Sequence, residues 1–209
     1  MNPISATARP LIAACAIFTM SACAGTYTGP VEVTRFVAED PTPLGQGTIT
    51  LVFPDEMSNG AARNAFASAV ADELSNIGYT LVMNEGEARS TAAIRTSRDA
   101  VATIENDRGP VSVGVGGSTG TFGSGVGVGV GVNLGGGRDE PEVVTKLSVR
   151  IRDSAGETVW EGRAQHPVSL KSDYADVETS AAILAAALFR DFPGGNGETL
   201  TLDVDDIQK

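Results

Sequence analysis

The 209-residue sequence predicts an α+β fold, in which an antiparallel sheet carries two helices on one face as a two-layer sandwich, extended by a glycine-rich β-hairpin. Three observations point there. Gly47 to Phe53 and Val143 to Ile151 alternate between apolar and polar or charged positions, the period of a half-buried strand. Phe66, Val70, Leu74 and Ile77 recur at helical spacing, as do Val177, Ala181, Leu184, Leu188 and Phe192. Between the two helices lies a long valine–glycine alternation from Val111 to Gly137.

The chain begins with a segment that is not part of this fold. Arg9 is the only charged side chain before Leu11 to Met20, a run of mostly apolar residues. Small Ser21 and Ala22 then lead into Cys23, in the narrow-side-chain position that a signal peptidase requires. The order resembles a bacterial lipoprotein signal with Met20-Ser21-Ala22-Cys23 as its lipobox, Met20 standing where Leu is usual. The resemblance implies cleavage between Ala22 and Cys23 and lipidation of Cys23. A membrane-spanning helix would need about 20 apolar residues, more than this run supplies. Ala24 follows the cysteine where an Asp would mark retention, which implies delivery to the outer membrane, periplasmic face. An ordinary secretory cleavage beside Ala22 or Ala24 is the alternative.

Removing residues 1–22 leaves 187 residues, the size of one domain. Cys15 lies in the apolar run, so no cysteine pair remains for a disulfide and no thiolate site for a metal. Fourteen basic residues then face 26 acidic ones. So acidic a chain repels nucleic acid and anionic headgroups, and the expected membrane contact is through the N-terminal lipid alone.

Residues 23–46 read as a tether with a short first strand at Val31, Val33 and Phe36. Residues 47–209 read as the single α+β domain. Gly47 to Phe53 is a strand with Ile49, Leu51 and Phe53 on one face, stopped by Pro54. A helix is expected from Ser58 to Ile77, capped by Ser58 or Asn59 and ended by Gly78. Tyr79 to Met83 is a short strand and Thr91 to Ile104 a weaker one. In the insertion at 111–137, Val111, Val113, Val115, Val126, Val128, Val130 and Val132 share one face of a hairpin opposite mainly glycine. Seven valines in one stripe need a cover (the domain's own helices, a second copy or a protein partner in the envelope), so they are the candidate interaction surface; a disordered low-complexity loop is the alternative to the hairpin. Val143, Thr145, Leu147, Val149 and Ile151 share a strand face; after the turn at Asp153 to Gly156, Thr158 to Ala164 returns with Trp160 as a core residue. The second helix is expected from Asp173 to Phe192 and a last strand from Glu198 to Val204, before an acidic tail.

The stretches GTITLVFP, LSNIGY, the glycine-rich middle, TVWEGRA and FPGGNGET resemble those of the DUF 4136 lipoproteins, from Val31 to Val204. The resemblance implies an exported, often lipid-anchored α+β domain and brings no catalytic residue with it.

Catalytic patterns are nearly absent. Gly116-Gly117-Ser118-Thr119-Gly120 spells a nucleophile elbow, but an elbow needs a helix after the serine and here valine–glycine alternation follows. His166 is the only histidine, which excludes a histidine metal cluster; beside Pro167 it reads as a surface or strand-end residue. Neither a dinucleotide fingerprint nor a phosphate-binding GK[ST] loop occurs, so no cofactor is expected. Asp203, Asp205 and Asp206 read as a solvated tail rather than a cation site. The expected function is a non-enzymatic binding module of the envelope. A serine hydrolase using Ser118 and His166, or a purely structural envelope protein, are the alternatives.

Overall fold

A computed structural model of the chain describes residues 26–39, 44–55, 57, 59–101 and 143–208. The signal segment, Cys23 and the glycine-rich insertion lie outside the described residues. Seven strands form one sheet: β1 (Val31–Val37), β2 (Thr48–Val52), β3 (Thr80–Leu81), β4 (Ser90–Ala100), β5 (Val143–Arg152), β6 (Thr158–Val168) and β7 (Thr199–Leu202), in the order β3-β2-β4-β5-β6-β1-β7. Helices α1 (Gly60–Asn76) and α2 (Val177–Phe189) cover one face, and a single turn, α3 (Val204–Ile207), follows β7. The α+β class holds, but the sheet is mixed rather than antiparallel, because β2 runs parallel to both β3 and β4. The reason is the helix between β2 and β3: a long crossover returns the chain in its starting direction, where a tight turn would have reversed it.

Inside this frame the local signals act as their chemistry dictates. The Asn59 side chain accepts the N–H groups of Ala61 and Ala62 and opens α1. Gly78, at φ +109, lets the chain turn away in a conformation that a side chain would resist. Phe66, Val70 and Leu74 are buried as the helical period requires, and Ile77 packs at the rim. The second helix is shorter than expected. Asp176 caps it by accepting from Glu178 and Thr179, and residues 173–175 form a separate 3₁₀ turn before it. The described part of β4 spans eleven residues, all but the first paired to β5.

Three expectations are corrected. The short first strand expected at Val31, Val33 and Phe36 is present as β1, interior and paired on both sides by β6 and β7, but its facing differs from the expected one. Val31 and Val33 are fully buried, whereas Phe36 points to the other face and is exposed. The last strand is short, with Leu200 exposed, and Val204 belongs to α3, buried beneath the acidic end of the chain. His166, expected at the surface, is buried in the layer between sheet and helices.

On that layer Trp160 is fully buried and stacks on Phe189, centroids 5.3 Å apart, with Phe192 tilted beside it at 5.2 Å. Gly162 lies under the same indole, and a Cβ there would run into Trp160 and Leu188. The opposite sheet face is open and charged, carrying Arg95–Asp55, Lys146–Asp99 and the Arg150–Glu161–Arg163 cluster. Partial burial of Glu161 pushes its carboxyl up, but bonds and charge from Arg163 and Arg150 outweigh that and hold it below its ordinary value.

Candidate functional site

The strand register aligns one polar row on the helix-bearing face, from exposed Arg98 to buried Thr145 and His166. Arg98 on β4 pairs with Thr145 on β5, and Thr145 pairs with His166 on β6. Residues directly opposed across a sheet share a face, and Leu147 and Val149 on this face of β5 point into the core. The row lies beside the start of α2. Ser180, in its first turns, donates its hydroxyl to the Tyr174 carbonyl at 2.8 Å, and the Tyr174 ring stands edge-on to His166 with centroids 6.2 Å apart.

His166 is 1% exposed. Its Nε2 lies 3.1 Å from the Gly29 carbonyl, which can only accept, so the proton sits on Nε2 and Nδ1 is a bare acceptor. Burial pulls the imidazole below its ordinary value of 6.5, against the opposing effect of the Gly29 bond, so the ring is neutral near pH 7. Among the described residues no carboxylate orients this ring, and Nδ1 has no partner.

A cavity of about 380 Å³ opens at the Arg98–Thr145 end of the row, bordered by the first turns of α1 and α2. Its walls include Met57, Ala62, Phe66 and Val177, so one side is apolar. Thr145 borders it, 4% exposed, with its hydroxyl buried in the sheet and without a hydrogen-bond partner among the described residues. Two larger hollows, of about 460 Å³ beside Pro30 and Asp205 and about 530 Å³ along the α1–α2 groove, lie elsewhere on the domain. Among the described residues no group of acidic, histidine or cysteine side chains is arranged to hold a metal, and no helix is long and apolar enough to cross a membrane.

Of the residues singled out in the sequence, only His166 enters this region. Ala22, Cys23, Ser118 and the seven valines from Val111 to Val132 lie outside the described residues. Arg98 and Thr145 carry the cavity and were not singled out, although Thr145 was the one polar residue on an otherwise aliphatic strand face. That is the signal that could have marked it. Arg35 was missed as well. It follows Val31 and Val33 on the buried face of β1, and it is 2% exposed.

The family model for a domain of unknown function, DUF4136, matches residues 43–194. The chain belongs to the DUF4136 family. The matched stretch contains Arg98, Thr145 and His166, while β1, β7 and α3 of this DUF4136 chain complete the domain from outside it. Among solved structures the chain is similar to a PDZ domain protein from Parabacteroides distasonis ATCC 8503, at TM-score 0.48 and 14% identity, over 84% of this chain and 39% of that one. It is also similar to the PelC dodecamer from Paraburkholderia phytofirmans in space group P6, at TM-score 0.36 and 12% identity, over 75% of this chain and 93% of that one. At such scores neither likeness carries an argument about function. No curated protein matches the chain.

Proposed function

We propose that this DUF4136 protein is a non-enzymatic lipoprotein, held at the periplasmic face of the outer membrane through a lipidated Cys23, whose domain binds another component of the envelope. The observation that carries the binding part is the cavity of about 380 Å³ between the first turns of α1 and α2 and strands β4 and β5, with Met57, Ala62, Phe66 and Val177 along one wall, a place fit to hold a group. His166 favours the same reading over a hydrolase. Its protonated nitrogen is spent on Gly29, its ring is neutral and buried, and among the described residues no acidic side chain orients it as a base. The lipobox in the sequence carries the anchoring part.

Anchoring has a decisive test. Cys23→Ser in the full chain should move the protein from the membrane fraction to the soluble periplasm, because two or three acyl chains anchor firmly and none remains. Fractionation with an acyl label reads both events. A mutant that loses the label yet stays with the membrane would show that attachment does not run through Cys23.

A further inference from the structure

We propose that the domain does not hang loosely from its anchor but rests end-on against the bilayer, through the sheet edge where Thr28, Val168, Val143 and Ala100 line up, with Leu170 set into the headgroup layer of the leaflet that holds the Cys23 acyl chains. The inference rests on the reading above, that Cys23 is lipidated, and adds a surface of the domain itself to the membrane contact.

The point where the chain joins the fold supplies the first ground. The Tyr27 carbonyl accepts the Ser169 N–H at 2.9 Å, and the Gly29 N–H donates to the Pro167 carbonyl at 2.9 Å. Thr28 pairs antiparallel with Val168, and its hydroxyl lies 2.8 Å from that of Ser172. His166 adds its Nε2 bond to the Gly29 carbonyl, and a Cβ at Gly29 would run into the side chains of Pro167 and Tyr27. Residues 27–29 therefore belong to the sheet and supply no slack. Four residue steps separate Cys23 from Tyr27, a reach of at most about 14 Å whatever path the chain takes. The headgroup layer itself takes up about 5 to 8 Å of that. The link keeps the start of the domain at the membrane surface.

The register supplies the second ground, because it says which part of the domain is held there. Val168 pairs with Thr28 on one side and Val143 on the other, and Val143 pairs with Ala100. The end of β4, the start of β5 and the end of β6 thus lie in one row with the anchored segment. The far end of the same strands is the turn at Asp153 to Gly156, the length of ten-residue β5 away, or about 30 Å.

The side chains of that edge supply the third. Leu170 follows Ser169, the residue that clasps Tyr27, and is 60% exposed; Val101, which follows Ala100, is 37% exposed. Lys171 is exposed beside Leu170, where its stem can lie on the apolar layer while the ammonium stays among headgroups. Lys146 near the row is paired with Asp99, and Asp173 beyond Lys171 is exposed and acidic, so the edge has no basic excess. Its partner is therefore a zwitterionic leaflet met through apolar contact, not an anionic one met through charge. A few apolar side chains suffice, because the link makes their encounter with the bilayer intramolecular.

The test uses the acylated full-length protein with a bimane label at Lys171→Cys or, as the distant control, at Ala155→Cys. Cys15 leaves with the signal and Cys23 is blocked by its lipid, so each variant offers one thiol. Both are reconstituted in phosphatidylethanolamine–phosphatidylcholine vesicles containing a lipid with a nitroxide on its headgroup. The label at 171 should lose most of its fluorescence, the label at 155 almost none, and high salt should change neither. Leu170→Ser should lower the quenching at 171, and so should a glycine–serine stretch inserted between Gly25 and Thr26, with acylation and flotation with the vesicles unaltered. An acylated, vesicle-bound protein whose label at 171 is not quenched would overturn the docking and leave the anchoring intact. Equal quenching at 155 and 171 would overturn the end-on orientation, and quenching at 171 unmoved by both changes would overturn the parts given to Leu170 and the short link. A protein without acyl mass that does not float with the vesicles would overturn the anchoring, and the docking with it.

Discussion

Replacing Arg35 by Met should destabilise the domain by about 3 kcal/mol, since each hydrogen bond from a charged group contributes roughly 1.5 to 3 and the abandoned acceptors stay buried. Arg35 lies under the end of α2, where Nε donates to the Leu188 carbonyl at 2.9 Å and the guanidinium reaches the Ala187 carbonyl at 3.0 Å. These belong to the last turn of the helix, whose carbonyls have no partner within it. The positive charge also faces the negative end of the helix dipole. The loop after α2 closes over the side chain: Gly194, at φ +78, sits where a Cβ would meet the guanidinium, and the Gly197 N–H donates to the Arg35 carbonyl at 2.7 Å. Burial lowers the guanidinium's pKa and Asp191 nearby raises it again, and the group stays charged. Methionine keeps most of the stem and loses every donor, so the loss isolates the polar contribution. Urea unfolding followed by circular dichroism checks it; a change below about 0.5 kcal/mol, the range of ordinary surface substitutions, would mean that α2 does not depend on this cap.

Trp160→Ala should cost still more, about 3 to 5 kcal/mol, the usual range for truncating a buried aromatic. The indole is fully buried, stacks on Phe189, meets Phe192, and donates Nε1–H to the Pro193 carbonyl at 2.9 Å. It is therefore the pin between β6, α2 and the 191–197 loop. Trp160→Phe retains much of the area but not the hydrogen bond, and should lie between wild type and alanine. The same unfolding measurement orders the three proteins; an alanine variant as stable as wild type would contradict the packing. A domain of this size has about 5 to 15 kcal/mol in all, so the alanine variant should unfold at a markedly lower temperature.

The parts of the fold legible in the sequence are those written by local chemistry. Strand β5 shows its alternation over nine residues, and α1 carries its own apolar stripe, its Asn59 cap and its terminal Gly78. Parts that depend on residues far away in the chain were not legible. The segment around Val31 reads as a short strand, but that it is an interior one shows only when β6 and β7 pair on either side. The parallel pairing of β2 with β4 needs knowledge of which strands meet, although the helix after β2 already hinted at a crossover. The candidate site has the same character. His166 reads as a strand-end residue until Gly29 and Tyr174 close over it, and Arg98 is a surface charge in sequence and structure alike, set opposite Thr145 only by the register.

His166 is where the claim of a holding rather than a reacting domain meets its most direct measurement: an NMR titration of its ring carbons and nitrogens in the folded domain. Burial should place the midpoint below the ordinary 6.5, with the Nε2–H tautomer persisting across neutral pH. The sign for stability follows. As pH falls below 6.5 the unfolded chain takes up the proton before the folded one does. The domain therefore keeps its full stability from this group above 6.5 and loses it on the way down to the folded value, by up to about 1.4 kcal/mol per pH unit. His166 is the only histidine, so no other imidazole contributes in that window. A midpoint at or above 6.5, with the proton on Nδ1 and Nε2 free to accept, would describe an accessible base and contradict the claim.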